Sequence, residues 1–142
     1  MTMKKTLMLI VLAAALYFSP GAGAQAGSYF FDTPVAGLTG HVSAFLFYGP
    51  PGFGEDPEHD SKENHYLLLL EKPIAVAPKK GDTANEAVSN VRLIQIRSKN
   101  NDLSRFSEKK VMVSGKLYTA AAGGNITDVV MELAGIEQVN EK

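Results

Sequence analysis

The sequence has 142 residues, no cysteine and nearly balanced charge, with 14 basic against 15 acidic side chains. The missing cysteines exclude a disulfide framework, thiolate zinc sites, a cysteine nucleophile and a lipidated anchor. No basic stripe or excess is present, which speaks against nucleic acid as a partner.

The chain opens Met-Thr-Met-Lys-Lys, continues through an uncharged apolar run at 7–18, and reaches Ser19-Pro20 and the small residues Gly21-Ala22-Gly23-Ala24. A positive start, a short apolar stretch and an A-x-A site predict a secretory signal over 1–24. The apolar run is shorter than the roughly 20 residues that span a hydrocarbon core. Cleavage after Ala24 leaves Gln25 first, and cleavage after Ala26 is the near alternative. Loss of Lys4 and Lys5 leaves 12 basic against 15 acidic residues, a net charge near −3. The expected product is a soluble periplasmic or secreted protein with no membrane anchor. At roughly 118 residues it is long enough for one domain held by core burial.

After a lead-in at 25–34, a single domain is predicted over 35–137. Its first strand is 35–48, where Leu38, Val42, Ala44, Leu46 and Tyr48 alternate with Thr39, His41 and Ser43. That is the period of a strand with one buried face, and Gly40 within it marks a bulge or bend. A loop rich in Pro, Gly and acids fills 49–64. The second strand, 65–71, contains four successive leucines and stops at Pro73, with Ile74-Ala75-Val76 as a continuation past a kink. The third strand is 88–98, with Val91, Ile94 and Ile96.

Asn100-Asn101-Asp102 offers a helix cap before Leu103 and Phe106, three apart, so a short helix is expected at 101–108. The fourth strand, 110–120, turns Val111, Val113, Leu117 and Thr119 to one face, and Met112, Ser114, Lys116 and Tyr118 to the other. The loop 121–127 leads into a fifth strand at 128–136, and 138–142 is read as a frayed tail. Three strands, a short helix and two strands is the element order of an OB-fold-like, five-stranded Greek-key barrel. The fold class is thus all-β, with an unrelated sandwich as the alternative.

Leu38-Thr39-Gly40, the run from Tyr48 through Gly49-Pro50-Pro51-Gly52-Phe53-Gly54, the stretch from Tyr66 to Val76, the segment 91–96 and Val111-Met112-Val113-Ser114-Gly115-Lys116-Leu117 form an ordered set. In order and spacing they resemble the bacterial domain-of-unknown-function family 4431 over about 38–137. The resemblance implies a small exported domain, in some members joined to a lysozyme-inhibitor-type domain. In that family the turn between the last two strands is usually rich in histidine. Here it reads Ala121-Ala122-Gly123-Gly124-Asn125-Ile126-Thr127, without one, so no metal site carries over.

The acidic loop places Asp56, Glu58 and Asp60 at the first, third and fifth positions of a calcium register. Ser61, Lys62 and Leu67 then occupy its sixth, seventh and twelfth positions, where a glycine, a carbonyl ligand and a glutamate belong. His59 and His65, six apart on a loop, impose no zinc geometry. The Gly-rich stretch 48–54 runs into acids, not the Gly-Lys-Ser/Thr of a phosphate loop, and there is no Gly-x-Ser-x-Gly elbow. No metal, cofactor or catalytic residue is assigned.

In an OB-fold the loops after the first strand and before the fifth flank the binding face. Tyr48, Phe53, His65, Tyr66, Tyr118 and Asn125 lie on or beside those loops and form the predicted binding face. The expected function is a non-catalytic module that recognises a protein or a cell-envelope glycan, for example as an inhibitor or immunity protein. The alternative is a small envelope hydrolase that uses Glu55, Asp56 or Asp60.

Overall fold

A computed structural model describes residues 27–120 and 125–141. The expected signal at 1–24, its cleavage site and the turn residues 121–124 lie outside the described residues. The protein is all-β. Six strands, β1 (Gly27–Phe30), β2 (Pro34–Tyr48), β3 (Lys62–Ala77), β4 (Val88–Arg97), β5 (Lys110–Thr119) and β6 (Val129–Gln138), form one mixed sheet. Among the described residues no helix is long and apolar enough to cross a membrane.

Five strands close a ring of pairings. β2 runs antiparallel to β3 and β5, β3 antiparallel to β4, β5 antiparallel to β6, and β4 parallel to β6. The first and fourth of the strands expected from sequence, β2 and β5, are therefore neighbours. β1 is an addition hidden in the expected lead-in. It pairs in parallel with 74–77 of β3, on the side that β2 leaves after the Gly40–Leu70 pair. The backbone of Asp32 then donates to Leu117 O at 2.8 Å, tying the β1 end to β5.

The core lies inside the ring. Val42, Leu68, Ile94, Ile96, Val111, Val113, Leu117, Val129 and Met131 are essentially inaccessible. The β-branched residues that marked β4 and β5 in the sequence supply much of this face, as a pleated strand buried on one side requires.

Local details differ from the sequence expectation. The bulge of β2 is at Ala36-Gly37, where the register to β5 shifts and Gly37 has φ 77°. Gly40 has another role: a Cβ there would lie 2.3 Å from Leu69 O, so only glycine lets β3 pass this closely. β3 includes the expected continuation over Ile74-Ala75-Val76, with Pro73 inside the strand. Pro73 lies where β3 advances from Leu69 to Ile74 while β4 moves only from Leu93 to Val91, a stretch with no β4 ladder partner, and so removes no ladder bond on that side.

The expected helix is a single 3-10 turn, Leu103–Phe106. Asp102 Oδ1 caps it, accepting from the Ser104 N–H at 3.0 Å and the Ser104 hydroxyl at 2.6 Å, and Glu108 at φ 59° stops it. Nor is the tail from 138 loose at its start: Gln138 pairs with Val111, and the Val139 N–H donates to Lys110 O at 2.9 Å.

The predicted alternation of β2 holds only to Val42. Ala44 and Leu46, expected inside, are exposed. β2 parts from β5 after the His41–Lys110 pair and runs on with β3 alone to the Tyr48–Lys62 pair. The distal halves of β2 and β3 thus form a two-stranded arm that leaves the ring and has no opposing layer to bury it.

Candidate functional site

The outer face of β2, β3 and β4 follows from the register. His41, Leu69 and Leu93 lie side by side, then Ser43, Leu67 and Gln95, then Phe45 and His65. Phe45, Leu69 and Leu93 are 46 %, 53 % and 40 % exposed. Large apolar side chains gathered on one sheet face mark a contact surface more often than isolated ones do. Four successive leucines in a strand must send alternate members to opposite faces. Leu68 and Leu70 go to the core, and Leu69 goes to this surface.

His65 and Gln95 organise the middle of the face. Gln95 is only 2 % exposed although it lies on the outer side. Its backbone N–H donates to Thr127 Oγ1 at 2.9 Å, its Oε1 accepts from the Ile126 N–H at 3.1 Å, and its Nε2 lies 2.8 Å from His65 Nδ1. His65 Nε2 faces Glu63 Oε2 at 3.3 Å, and the ring meets Phe47 edge-on at 5.0 Å between centroids. This chain of contacts joins the arm to the described end of the β5–β6 turn.

A shallow hollow beside it is lined by Arg97, Lys99, Tyr118, Asn125 and Glu132. Arg97 donates to Asn125 Oδ1. Lys99 meets Glu132 at 2.9 Å, and this hydrogen bond to a carboxylate holds its ammonium above the usual lysine value. The rim is therefore charged and largely paired.

The loop at 49–61 is built on Asp60. Its carboxylate is buried and accepts from the N–H groups of Gly52, Gly54 and Asp56, at 2.5, 2.7 and 3.3 Å. Burial pushes this carboxyl up, but the N–H groups of Gly54, Gly52 and Asp56 together hold it below 3.8, its ordinary value. Asp56 is held by His59 at 2.8 Å. The loop tip carries Phe53, 71 % exposed and at φ 51°. Among the described residues no three His, Cys, Asp or Glu groups come close enough to hold a metal ion.

The six residues singled out from sequence fall into separate places. Tyr118 and Asn125 share the hollow, and Gln95 links His65 to Ile126, the neighbour of Asn125. Tyr48 and Phe53 stand at the far end of the arm. Tyr66, half-buried, pairs with Ala44 and Ile96 on the inner side and packs against the core. Sequence reasoning missed Phe45, Leu69, Leu93 and Arg97. The unbroken apolar runs 44–48 and 67–70 were the available signal, since neither fits a strand with one wet face. In comparison with known proteins, the chain matches no family model, no curated protein and no solved structure.

Proposed function

We propose that this protein is an exported, non-catalytic binding module of OB-like architecture, akin in its motifs to the 4431 family, that uses the outer face of β2, β3 and β4 to hold a protein partner. The observation that carries this is the exposed set Phe45, Leu69 and Leu93, on one sheet face with His41, His65 and Gln95. A protein suits it better than an envelope glycan. Two of the three exposed side chains are aliphatic, and leucines bury against apolar protein surface but offer a sugar ring no stacking plane. Interfaces combine large apolar side chains with polar groups, and here Phe45 on one side and Leu69 and Leu93 on the other flank the His65–Gln95 pair. Phe53, at the tip of a loop fixed by Asp60, is the natural peripheral anchor.

Of the acids named for the hydrolase alternative, Asp60 and Asp56 have partners within the loop. Asp60 already accepts three backbone N–H bonds inside the loop, which leaves its carboxylate committed to structure. Asp56 is engaged with His59.

The test compares the wild-type protein with Leu69→Lys/Leu93→Lys as bait in an envelope extract, with purified cell-wall sacculi in a parallel sedimentation assay. A protein retained by wild type and lost from the double variant, at unchanged melting temperature, is expected. Equal retention by both baits refutes the assigned face. Co-sedimentation with sacculi that the double variant abolishes transfers the site to a glycan.

A further inference from the structure

The arm leaves one strand edge open. Val42 donates its N–H to Lys109 O at 3.0 Å and accepts from the Glu108 N–H at 2.8 Å, so its backbone groups point toward the β5 side. Gly49 donates to Ser61 O at 2.8 Å, toward β3. Backbone direction alternates along a strand. Ala44, Leu46 and Tyr48 therefore point their N–H and C=O groups the way Val42 does, away from β3. Among the described residues no strand lies there, because β5 begins opposite His41. Among the described residues these three have no backbone partner on that side.

Exposed edges are commonly protected by lysine, proline, a bulge or a covering segment. The sequence Ser43-Ala44-Phe45-Leu46-Phe47-Tyr48 has no charge and no proline, and its register to β3 runs unbroken from Gly40 to Tyr48. Among the described residues it is an edge without protection, and its Phe45, Phe47 and Tyr48 favour extended backbone.

We propose that this edge pairs antiparallel with the same edge of a second copy, about a two-fold axis at Leu46. Such a contact is isologous and must be self-complementary, and the sequence meets that demand. Centred on Leu46, the pairing sets Phe45 opposite Phe47 of the other copy, an aromatic cross-strand pair. Small Ala44 lies opposite large Tyr48. Every open N–H and C=O of Ala44, Leu46 and Tyr48 gains a partner.

A foreign strand would satisfy the same backbone groups, but nothing would require it to have these symmetric matches. The contact takes Phe45 of the outer face into a cross-strand pair but leaves Leu69 and Leu93 open, and it stands whether or not a partner binds there.

The experiment is sedimentation velocity over a wide concentration range on protein recovered from the periplasm of an expressing bacterium. A concentration-dependent dimer is expected for wild type, and monomer for Leu46→Lys at unchanged melting temperature. The chain has no other cysteine, so Leu46→Cys reports the axis directly. Two Cα atoms facing each other across a strand pair are within disulfide reach. Oxidation should give a covalent dimer with Leu46→Cys and none with Lys80→Cys.

Should Leu46→Lys fail to fold, slowed amide exchange at Ala44, Leu46 and Tyr48 in the wild-type dimer supplies the same reading. Leu69→Lys/Leu93→Lys should still dimerise, which separates this contact from the outer-face site. A wild-type chain that is monomeric throughout overturns the pairing, as does a dimer that survives Leu46→Lys. Protection of these amides only after an envelope extract is added gives the edge to a foreign strand and also overturns it.

Discussion

Gln95 holds His65 in one tautomer. The Ile126 N–H can only donate, so the amide oxygen of Gln95 must face it, at 3.1 Å. That leaves Gln95 Nε2, a donor, 2.8 Å from His65 Nδ1, which must accept. The ring proton of the neutral imidazole is then on Nε2, directed at Glu63 Oε2. One backbone hydrogen bond in the β5–β6 turn thus fixes a proton position on β3.

Truncating Gln95 tests this linkage. Gln95→Ala would leave His65 Nδ1 and the Ile126 N–H without partners and open a space under the turn. Loss of buried hydrogen-bond partners costs about 1–3 kcal/mol, and the lost packing adds to it. A stability loss of about 2–4 kcal/mol in urea unfolding is expected. In the wild type, nitrogen-15 shifts of His65 should show Nδ1 as the unprotonated nitrogen. An Nδ1-protonated neutral ring would overturn the assignment.

Gly40 gives a second prediction. A Cβ at this position would stand 2.3 Å from Leu69 O and 3.0 Å from Leu68 Cδ1. The first of these is backbone in the middle of a ladder, so it cannot swing aside as a side chain would. Gly40→Ala should therefore cost about 1–3 kcal/mol, the range of overpacking. Gly81→Ala, with nothing within 4 Å of its Cβ but φ 91°, separates conformational strain from collision. If Gly40→Ala melts at the wild-type temperature, β2 and β3 are not this close.

These two residues also show what a sequence can reveal. The β-branched and apolar alternation of 88–98 and 110–120 carries its own burial pattern, so β4 and β5 were legible at nearly their true limits. The Asp102 cap was legible because Asx side chains bond to nearby backbone N–H groups. Gly40 was legible as special, but not as a close approach instead of a bulge, because both demand glycine and differ only in the neighbouring strand.

β1 was hidden because four residues, Gly-Ser-Tyr-Phe, have too short a period to read. The outer face was hidden for a deeper reason. Alternation assigns Ala44 and Leu46 to a core, and only the register of β5, which stops opposite His41, shows that the core ends before them. Gln95 reads as a polar position on a strand, and its burial depends on Ile126, a residue thirty-one positions away in the chain.

Acid should loosen the loop at 49–61. The folded carboxyl of Asp60 is held below 3.8, its ordinary value, against the upward push of burial, by N–H groups of Gly54, Gly52 and Asp56. A depressed carboxylate contributes stability that is fully present above the unfolded value and is lost as pH falls through the folded one. Stability should thus be flat on this account from neutrality to about pH 5 and decline below about pH 4. Asp60→Asn removes the charge the three N–H groups bind, so it should lower the melting temperature at pH 7 and flatten the acid decline. Asp32, Glu71, Asp82 and Asp102 are also held low, so part of the decline should survive in the variant. An unchanged melting temperature at pH 7 would show that Asp60 does not hold the loop.

Phe53 allows the sharpest separation of burial from backbone strain. Its side chain is 71 % exposed and its φ is 51°, a region that costs a residue with a Cβ about 1–2 kcal/mol. Its N–H still donates to Gly49 O at 3.0 Å, so the turn itself is well made. Were Phe53 a core residue, Phe53→Ala would destabilise by about 3–5 kcal/mol. Its exposure predicts instead a change within about 0.5 kcal/mol, as for most surface substitutions. Phe53→Gly should do better than Phe53→Ala, because glycine relieves the left-handed strain while losing about 0.4–1 kcal/mol to a freer unfolded chain. The expected order of melting temperatures is Phe53→Gly at or above wild type, and Phe53→Ala equal to it. A bulky aromatic kept where glycine is at least as stable is then retained for something other than the fold, and both variants should weaken partner binding together. A large drop in the melting temperature of Phe53→Ala would place the ring in a packed environment and remove it from the binding surface.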